Sequence, residues 1–78
     1  MATRNGGRVR FVVCVRNTGY PASLEVRKIY RALPDREAER HALMRIVDES
    51  GEDYLYPARF FRVVNLPQSL RSVLRRAG

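Results

Sequence analysis

The stretch that decides the fold is Asp48–Phe61, with the sequence DESGEDYLYPARFF. It places four carboxylates, a glycine, a proline and several aromatic residues in fourteen positions of an otherwise basic chain. A helix–loop–helix calcium site spreads its ligands over about twelve residues and ends on a distant bidentate glutamate, a spacing that is absent here. DESGED is short enough for a hairpin turn in which Gly51 takes a left-handed conformation. We therefore predict a solvated turn between two strands, with carboxylates on both sides, and no metal site.

The residues on both sides of this turn predict short strands. LMRIVD (43–48) leads into the turn as a third strand, and YLY (54–56) leaves it as a fourth. Pro57 interrupts that strand, and ARF (58–60) suits a short 3₁₀ turn better than a sheet. FRVV (61–64) then resumes as a fifth strand. The pattern predicts a hairpin, a 3₁₀ turn and a final strand.

The amino-terminal half supplies the first two strands. RVRFVVCVR (8–16) alternates, which puts on one face Val9, Phe11, Val13 and Val15. NTGYPAS (17–23) concentrates turn-forming residues and predicts a loop. SLEVRKIYRAL (23–33) alternates again, but its apolar parity breaks at Ile29 and Leu33, which predicts a bulged or bent second strand.

Two polar or amphipathic segments complete the chain. PDREAERHA (34–42) is interpreted as an exposed connector, with the alternative of a helical turn capped by Asp35. LPQSLRSVLRRAG (66–78) changes to a helical period and gathers on one face Leu66, Leu70, Val73 and Leu74. Together these patterns predict three parts. A flexible lead-in covers residues 1–7, and five strands over 8–65 form a small barrel or a pair of orthogonal sheets. A carboxyl-terminal helix over 66–78 packs on this β domain or extends from it.

The order of residues after the turn resembles a known architecture. A turn glycine, an apolar strand, Pro57, two spacers, Phe60 with Phe61 and a closing valine pair resemble the last hairpin, 3₁₀ turn and final strand of SH3-like barrels. The resemblance implies a mainly β fold, a small five-stranded SH3-like barrel with a short carboxyl-terminal α-helix. It also implies that Pro57 and Phe60 line a groove for a partner. The chain has no tryptophan, which argues against the proline-rich ligands of peptide-binding SH3 domains.

A second resemblance covers most of the chain. CVRNTGYPASLEVRKIYR (14–31) together with DESGEDYLYP (48–57) resembles a group of small bacterial proteins without an assigned function. It implies a bacterial protein and no particular chemistry.

The charge distribution supplies a candidate surface for an anionic partner. The net charge is +7, with four arginines and no acid in residues 1–16, and five arginines and no acid in residues 57–78. Basic ends that the fold brings together would form a surface for nucleic acid. The candidate residues are Arg8, Arg10, Arg71, Arg75 and Arg76. The alternative is that the arginines are solvated and reflect codon usage.

Aromatic residues supply the candidate surface for a protein partner. Tyr20 precedes Pro21 in a predicted loop, where binding residues concentrate. Tyr54 and Tyr56 alternate in the fourth strand, so at least one of them is available to pack in the barrel while the other meets a partner or stacks on a base. The candidate partner-binding set is Tyr20, Tyr54, Pro57 and Phe60.

The remaining chemistry-bearing residues predict no catalysis. Cys14 is the only cysteine and His41 the only histidine, and a nucleophile would need such a base beside it. We interpret Cys14 as a small buried hydrophobe and His41 as part of an exposed loop. We expect no enzyme activity, no cofactor and no membrane segment. A lone cysteine favours a reducing, cytoplasmic location. The sequence predicts a small non-catalytic adaptor for a protein partner, with a nucleic-acid-binding protein as the alternative.

Overall fold

The computed structural model describes residues 8–77, with side chains as far as Leu74. The predicted lead-in over 1–7 lies outside the described residues, as does Gly78. The elements in chain order are β1 (Arg10–Cys14), β2 (Ile29–Leu33), α1 (Arg36–Arg40), β3 (Leu43–Val47), β4 (Asp53–Pro57), a 3₁₀ turn (Ala58–Phe60), β5 (Phe61–Val64) and α2 (Gln68–Ala77).

The strands form one antiparallel sheet in the order β4-β3-β2-β1-β5. The predicted class, a mainly β fold with five strands and a carboxyl-terminal helix, is confirmed, and the strand order is consistent with an SH3-like arrangement. The sheet is not closed into a barrel, because β4 and β5 lie at its two edges and each pairs with one neighbour among the described residues. One face of the sheet is covered instead by the long connection between β1 and β2, which places Leu24 in the core.

The core lies on the face of β1 opposite to the one that the apolar alternation predicted. Val12 and Cys14 are fully buried there, whereas Val15 is 43% exposed. Their core neighbours are Leu24, Tyr30, Ala32, Ile46, Tyr56, Phe60 and Phe61. Phe11 is also buried, but its register partners Arg31 and Val64 place it on the other face of the sheet. Both faces of β1 are therefore covered, which alternation within one strand does not reveal.

The second strand is shorter than predicted, and the prediction of a bulge in it is wrong. Only Ile29–Leu33 forms a strand, and residues 15–28 form a long loop across the core face. Leu24, on this loop, is fully buried in the core. A loop that folds over a sheet can bury a single residue without strand pairing. The alternation before Ile29 therefore does not reflect a strand, and Leu24 is apolar because the loop places it in the core.

The connector between β2 and β3 winds into α1 and is not simply exposed. Asp35 caps the helix, because its carboxylate accepts a hydrogen bond from the Ala38 amide at 2.9 Å. The same carboxylate accepts one from Arg45 Nε of β3 at 2.7 Å. Ala38 is buried. The helical alternative with Asp35 as its cap is thus the correct one.

Helix α2 lies beside the outer face of the sheet, which is the face opposite to the core and the one on which Phe11 lies. Leu74 is half-buried, and the guanidinium carbon of Arg71 lies 5.9 Å from the centre of the Phe11 ring. Leu70 and Val73, from the same predicted apolar face, are 43% and 51% exposed. Among the described residues, neither α1 nor α2 has the length and apolarity needed to cross a membrane.

Candidate binding site

The hairpin loop between β3 and β4 folds around a buried carboxylate. Asp48 Oδ1 accepts hydrogen bonds from the Ser50 amide at 2.9 Å and the Ser50 hydroxyl at 2.6 Å. The Gly51 amide donates to the Asp48 carbonyl at 3.0 Å, and Gly51 has φ +86°. The predicted turn and its left-handed glycine are confirmed. The expectation that its carboxylates are simply solvated is wrong for Asp48, which is only 7% exposed.

The long loop over residues 15–28 presents Tyr20 on one side of the core. Gly19 takes a left-handed conformation with φ +88°, and the Tyr20 amide donates to the Asn17 carbonyl at 2.8 Å. The Asn17 side chain donates to the Leu24 carbonyl at 3.0 Å, which ties the two ends of this segment together. Asn and Gly suit such turns because both tolerate left-handed backbone. The loop is thereby held by its own hydrogen bonds.

Two tyrosines clasp the hairpin loop to the rest of the domain. The Tyr56 hydroxyl of β4 donates to Asp48 Oδ2 at 2.5 Å, and the Tyr30 hydroxyl of β2 donates to Glu49 Oε2 at 2.5 Å. The Glu49 amide also donates to the Ser23 carbonyl of the long loop at 3.1 Å. These contacts join the two loops at one end of the sheet. We call the four side chains that form the two tyrosine–carboxylate hydrogen bonds the clasp: Tyr30, Asp48, Glu49 and Tyr56.

The clasp shifts the ionisation of its members. Burial opposes charge on Asp48, but hydrogen bonds from Ser50 and Tyr56 outweigh it, so the pKa of Asp48 is lowered. Hydrogen bonds from Lys28 and Tyr30 likewise lower the pKa of Glu49. Burial first, and the hydrogen bond to Asp48 second, raise the pKa of Tyr56. Near neutral pH the clasp therefore consists of ionised carboxylates and neutral phenols.

A concavity of about 440 Å³ opens between the two loops and β4. Its lining includes Tyr20, Ser23, Asp48, Ser50, Tyr54 and Tyr56. Tyr20 packs edge-on against the Tyr56 ring, with ring centres 4.9 Å apart. Tyr20 and Tyr54 are 41% and 52% exposed. Two exposed tyrosines thus flank a concavity whose buried wall is hydrogen-bonded.

The four candidate partner-binding residues have different positions. Tyr20 and Tyr54 both line this concavity. Phe60 is buried beneath Tyr20, with ring centres 6.2 Å apart, so it supports the surface from below. Pro57 is half-buried at the end of edge strand β4, in register with Leu43 of β3. At an edge strand a proline nitrogen can face away from the ladder without loss of a hydrogen bond.

Three of the five candidate arginines have described side chains, and these three lie at different places in the structure. Arg8 is exposed ahead of β1, and Arg10 lies 3.8 Å from the Glu39 carboxylate of α1. Arg71 lies on the outer face over Phe11. The side chains of Arg75 and Arg76, near the end of α2, fall outside the described residues.

The two residues considered for catalysis, Cys14 and His41, have different surroundings. Cys14 is buried in β1, where its thiol donates a hydrogen bond to the Arg16 carbonyl at 3.2 Å, and burial raises its pKa. His41 is exposed after α1, with Nε2 3.2 Å from the Glu37 carboxylate. No group of three or more metal-ligating side chains occurs within the part of the chain that the structure describes.

Sequence reasoning missed Ser23, Asp48 and Ser50 as parts of the site. A signal for two of them was present, because an aspartate two residues before a serine is typical of a side-chain-closed turn. The contribution of Ser23 has no local signal, since it depends on the long loop reaching the hairpin loop.

Comparison with known proteins adds no relative. No family model, curated protein or solved structure matches this chain.

Proposed function

We propose that this protein is a small non-catalytic interaction module that binds a protein partner at the concavity between its two clasped loops. The observation that carries the proposal is the convergence of two exposed tyrosines, Tyr20 and Tyr54, on one concavity. Tyrosine is enriched at protein interfaces because its ring supplies a large contact area and its hydroxyl a hydrogen bond.

The surroundings of the tyrosines suit them to binding. Tyr20 rests on two buried rings, Tyr56 and Phe60. The Tyr56 hydroxyl is held by Asp48. A pre-ordered surface loses less conformational entropy when a partner docks. The loop hydrogen bonds and the clasp therefore favour binding here over other exposed parts of the domain.

Partner capture with matched variants tests the proposal. The immobilised protein is compared with Tyr20→Ser/Tyr54→Ser and with Val15→Ser/Val63→Ser, whose two valines are also exposed but do not line the concavity. We expect the parent and the valine variant to retain a partner protein that the tyrosine variant does not retain. Equal retention by all three proteins would contradict the proposal.

A second candidate, nucleic-acid binding, is supported by a different surface. Arg16, Arg59 and Arg62 are exposed and form no ion pair with the described carboxylates. They are neighbours, because the Val15 amide donates to the Phe60 carbonyl at 2.8 Å and Arg62 Nη1 to the Arg59 carbonyl at 3.1 Å. Such a cluster at the β1–β5 end suits phosphate contacts.

Anisotropy titrations of single-stranded RNA and double-stranded DNA at two salt concentrations test this candidate. Phosphate binding predicts an affinity that falls steeply with salt, and a shallower salt dependence when Arg16, Arg59 and Arg62 become glutamine. Arg36→Gln, an exposed arginine on α1, serves as the control. No binding at low salt would eliminate this candidate.

A further inference from the structure

The concavity between the loops is acidic in a protein whose net charge is +7. Its lining contains Asp48 and no arginine or lysine. Glu52 does not line the concavity itself, but its carboxylate accepts a hydrogen bond at 3.3 Å from the hydroxyl of Tyr54, which does. Asp53 follows it in the chain, but its carboxylate is paired with Arg45 at 3.0 Å, so the unpaired negative charge lies on Asp48 and Glu52. The local charge is therefore opposite in sign to that of the whole chain.

The ionisation of Tyr54 reports the same local field. Its pKa is raised, first by the charge of Glu52, then by the hydrogen bond to Glu52, with smaller contributions that include the charges of Asp48 and Asp53. A negative potential at this ring disfavours a phenolate and, by the same electrostatics, favours a cation.

The tyrosine rings and the carboxylates at the concavity suit the same kind of ligand, a cationic side chain. The face of a tyrosine ring attracts a lysine ammonium or an arginine guanidinium that lies within about 6 Å of the ring centre. Carboxylates add a direct charge interaction to the same group. Asp48 already accepts bonds from Ser50 and Tyr56, whereas Glu52 is exposed. Glu52 is thus the carboxylate available to a ligand.

We propose that the concavity binds a lysine or arginine side chain of an extended protein segment, placed against the Tyr20 and Tyr54 rings with its charge toward Glu52. This inference rests on the proposed function and names the chemistry of the partner. The charge complementarity selects a basic segment over an acidic or phosphorylated one, which the carboxylates repel. A neutral proline-rich segment would use the rings but not Glu52.

Peptide titrations of the ¹⁵N-labelled full chain, followed by amide chemical shifts, test this proposal. The probe is acetyl-Gly-Ser-Arg-Ser-Gly-amide, and its match replaces arginine with citrulline, which has nearly the same shape without the charge. In two further peptides lysine or glutamate replaces the arginine, and another peptide has a proline-rich sequence. We expect the arginine and lysine peptides to shift the amides of Ser23, Ser50, Gly51 and Tyr54, and the citrulline peptide to bind at least several-fold more weakly.

Variants of the protein then separate the contribution of the Glu52 charge from that of the Tyr54 ring. Glu52→Gln is expected to weaken binding of the arginine peptide about two- to fivefold and to reduce its salt dependence. Tyr54→Leu is expected to weaken it to a similar extent by removing a ring. Glu37→Gln changes an exposed carboxylate on α1, outside the concavity, and is expected to leave binding unchanged.

The outcomes distinguish this inference from the proposed function. If citrulline, glutamate or proline-rich peptides bind at these amides as well as the arginine peptide does, the cation proposal is overturned while the interaction surface stands. If no peptide shifts these amides at millimolar concentration, the cation proposal is likewise overturned. If the tyrosine variants in addition retain every captured partner, the proposed function fails too.

Discussion

Removal of the Tyr56 hydroxyl is the sharpest test of the clasp that organises the site. In Tyr56→Phe the ring stays in the core, but Asp48 Oδ2 loses the donor that lies 2.5 Å away. Asp48 is only 7% exposed, so water replaces that donor poorly. A hydrogen bond to a buried charged group contributes about 1.5–3 kcal/mol. We expect a loss of about 2 kcal/mol in the free energy of unfolding.

The assay is urea unfolding followed by circular dichroism, together with thermal unfolding. For a domain of this size each kcal/mol corresponds to a change in Tm of about 4–8 °C. Tyr56→Phe should therefore lower Tm by roughly 8–16 °C. Tyr54→Phe is the matched control, since its hydroxyl is exposed and 3.3 Å from Glu52, and it should leave Tm unchanged.

The same variant should change the dependence of stability on pH. The folded-state pKa of Asp48 is lowered, so its contribution is present above the unfolded pKa of about 3.9 and is lost as the pH falls through the folded value. Without the Tyr56 hydrogen bond that lowering is smaller, and stability should fall less steeply with acid. If Tyr56→Phe and Tyr54→Phe had equal Tm values and equal acid profiles, the reasoning about the clasp would be refuted.

Three further predictions concern the loops and the core. Gly51→Ala should cost about 1 kcal/mol in urea unfolding, because φ is +86° while the space around a Cβ is open; an unchanged midpoint would contradict the left-handed turn. Leu24→Ala should cost about 2–5 kcal/mol, and Val26→Ala, at an exposed position of the same loop, about 0.5 kcal/mol or less; equal costs would exclude Leu24 from the core. The Cys14 thiol should react with a disulfide reagent far more slowly in the native than in the unfolded protein, since burial raises its pKa. Equal rates would place Cys14 at the surface.

The acidic hairpin loop has two roles in this fold. Its first two carboxylates, Asp48 and Glu49, accept tyrosine hydrogen bonds and join the loop to the domain. The next two, Glu52 and Asp53, are exposed. Asp53 receives a hydrogen bond from Arg45 at 3.0 Å, whereas Glu52, which accepts a hydrogen bond from Tyr54 of the concavity, has no basic partner among the described residues. The four carboxylates of this run thus differ in their contacts: Asp48 and Glu49 join the loop to β4 and β2, Asp53 pairs with Arg45, and Glu52 accepts a hydrogen bond from Tyr54.

Local patterns were sufficient for much of the fold. The glycine turn, the strand before it and the strand after it are confirmed, as is the 3₁₀ turn over Ala58–Phe60. The helical period after residue 65 corresponds to α2. These elements depend on backbone preferences of a few adjacent residues, so their signals lie within a short window.

The sequence by itself determined the fold class, the hairpin turn at Gly51 and the exposed tyrosine of the first loop, because turn chemistry and strand period act over neighbouring residues. Only the tertiary structure decided which face of β1 became the core and that Leu24 is buried from a loop. It also decided that Tyr20 lines the same concavity as Tyr54, thirty-four positions later in the chain. Those outcomes depend on contacts between distant segments, whose combined burial and hydrogen bonding outweigh any preference within one segment.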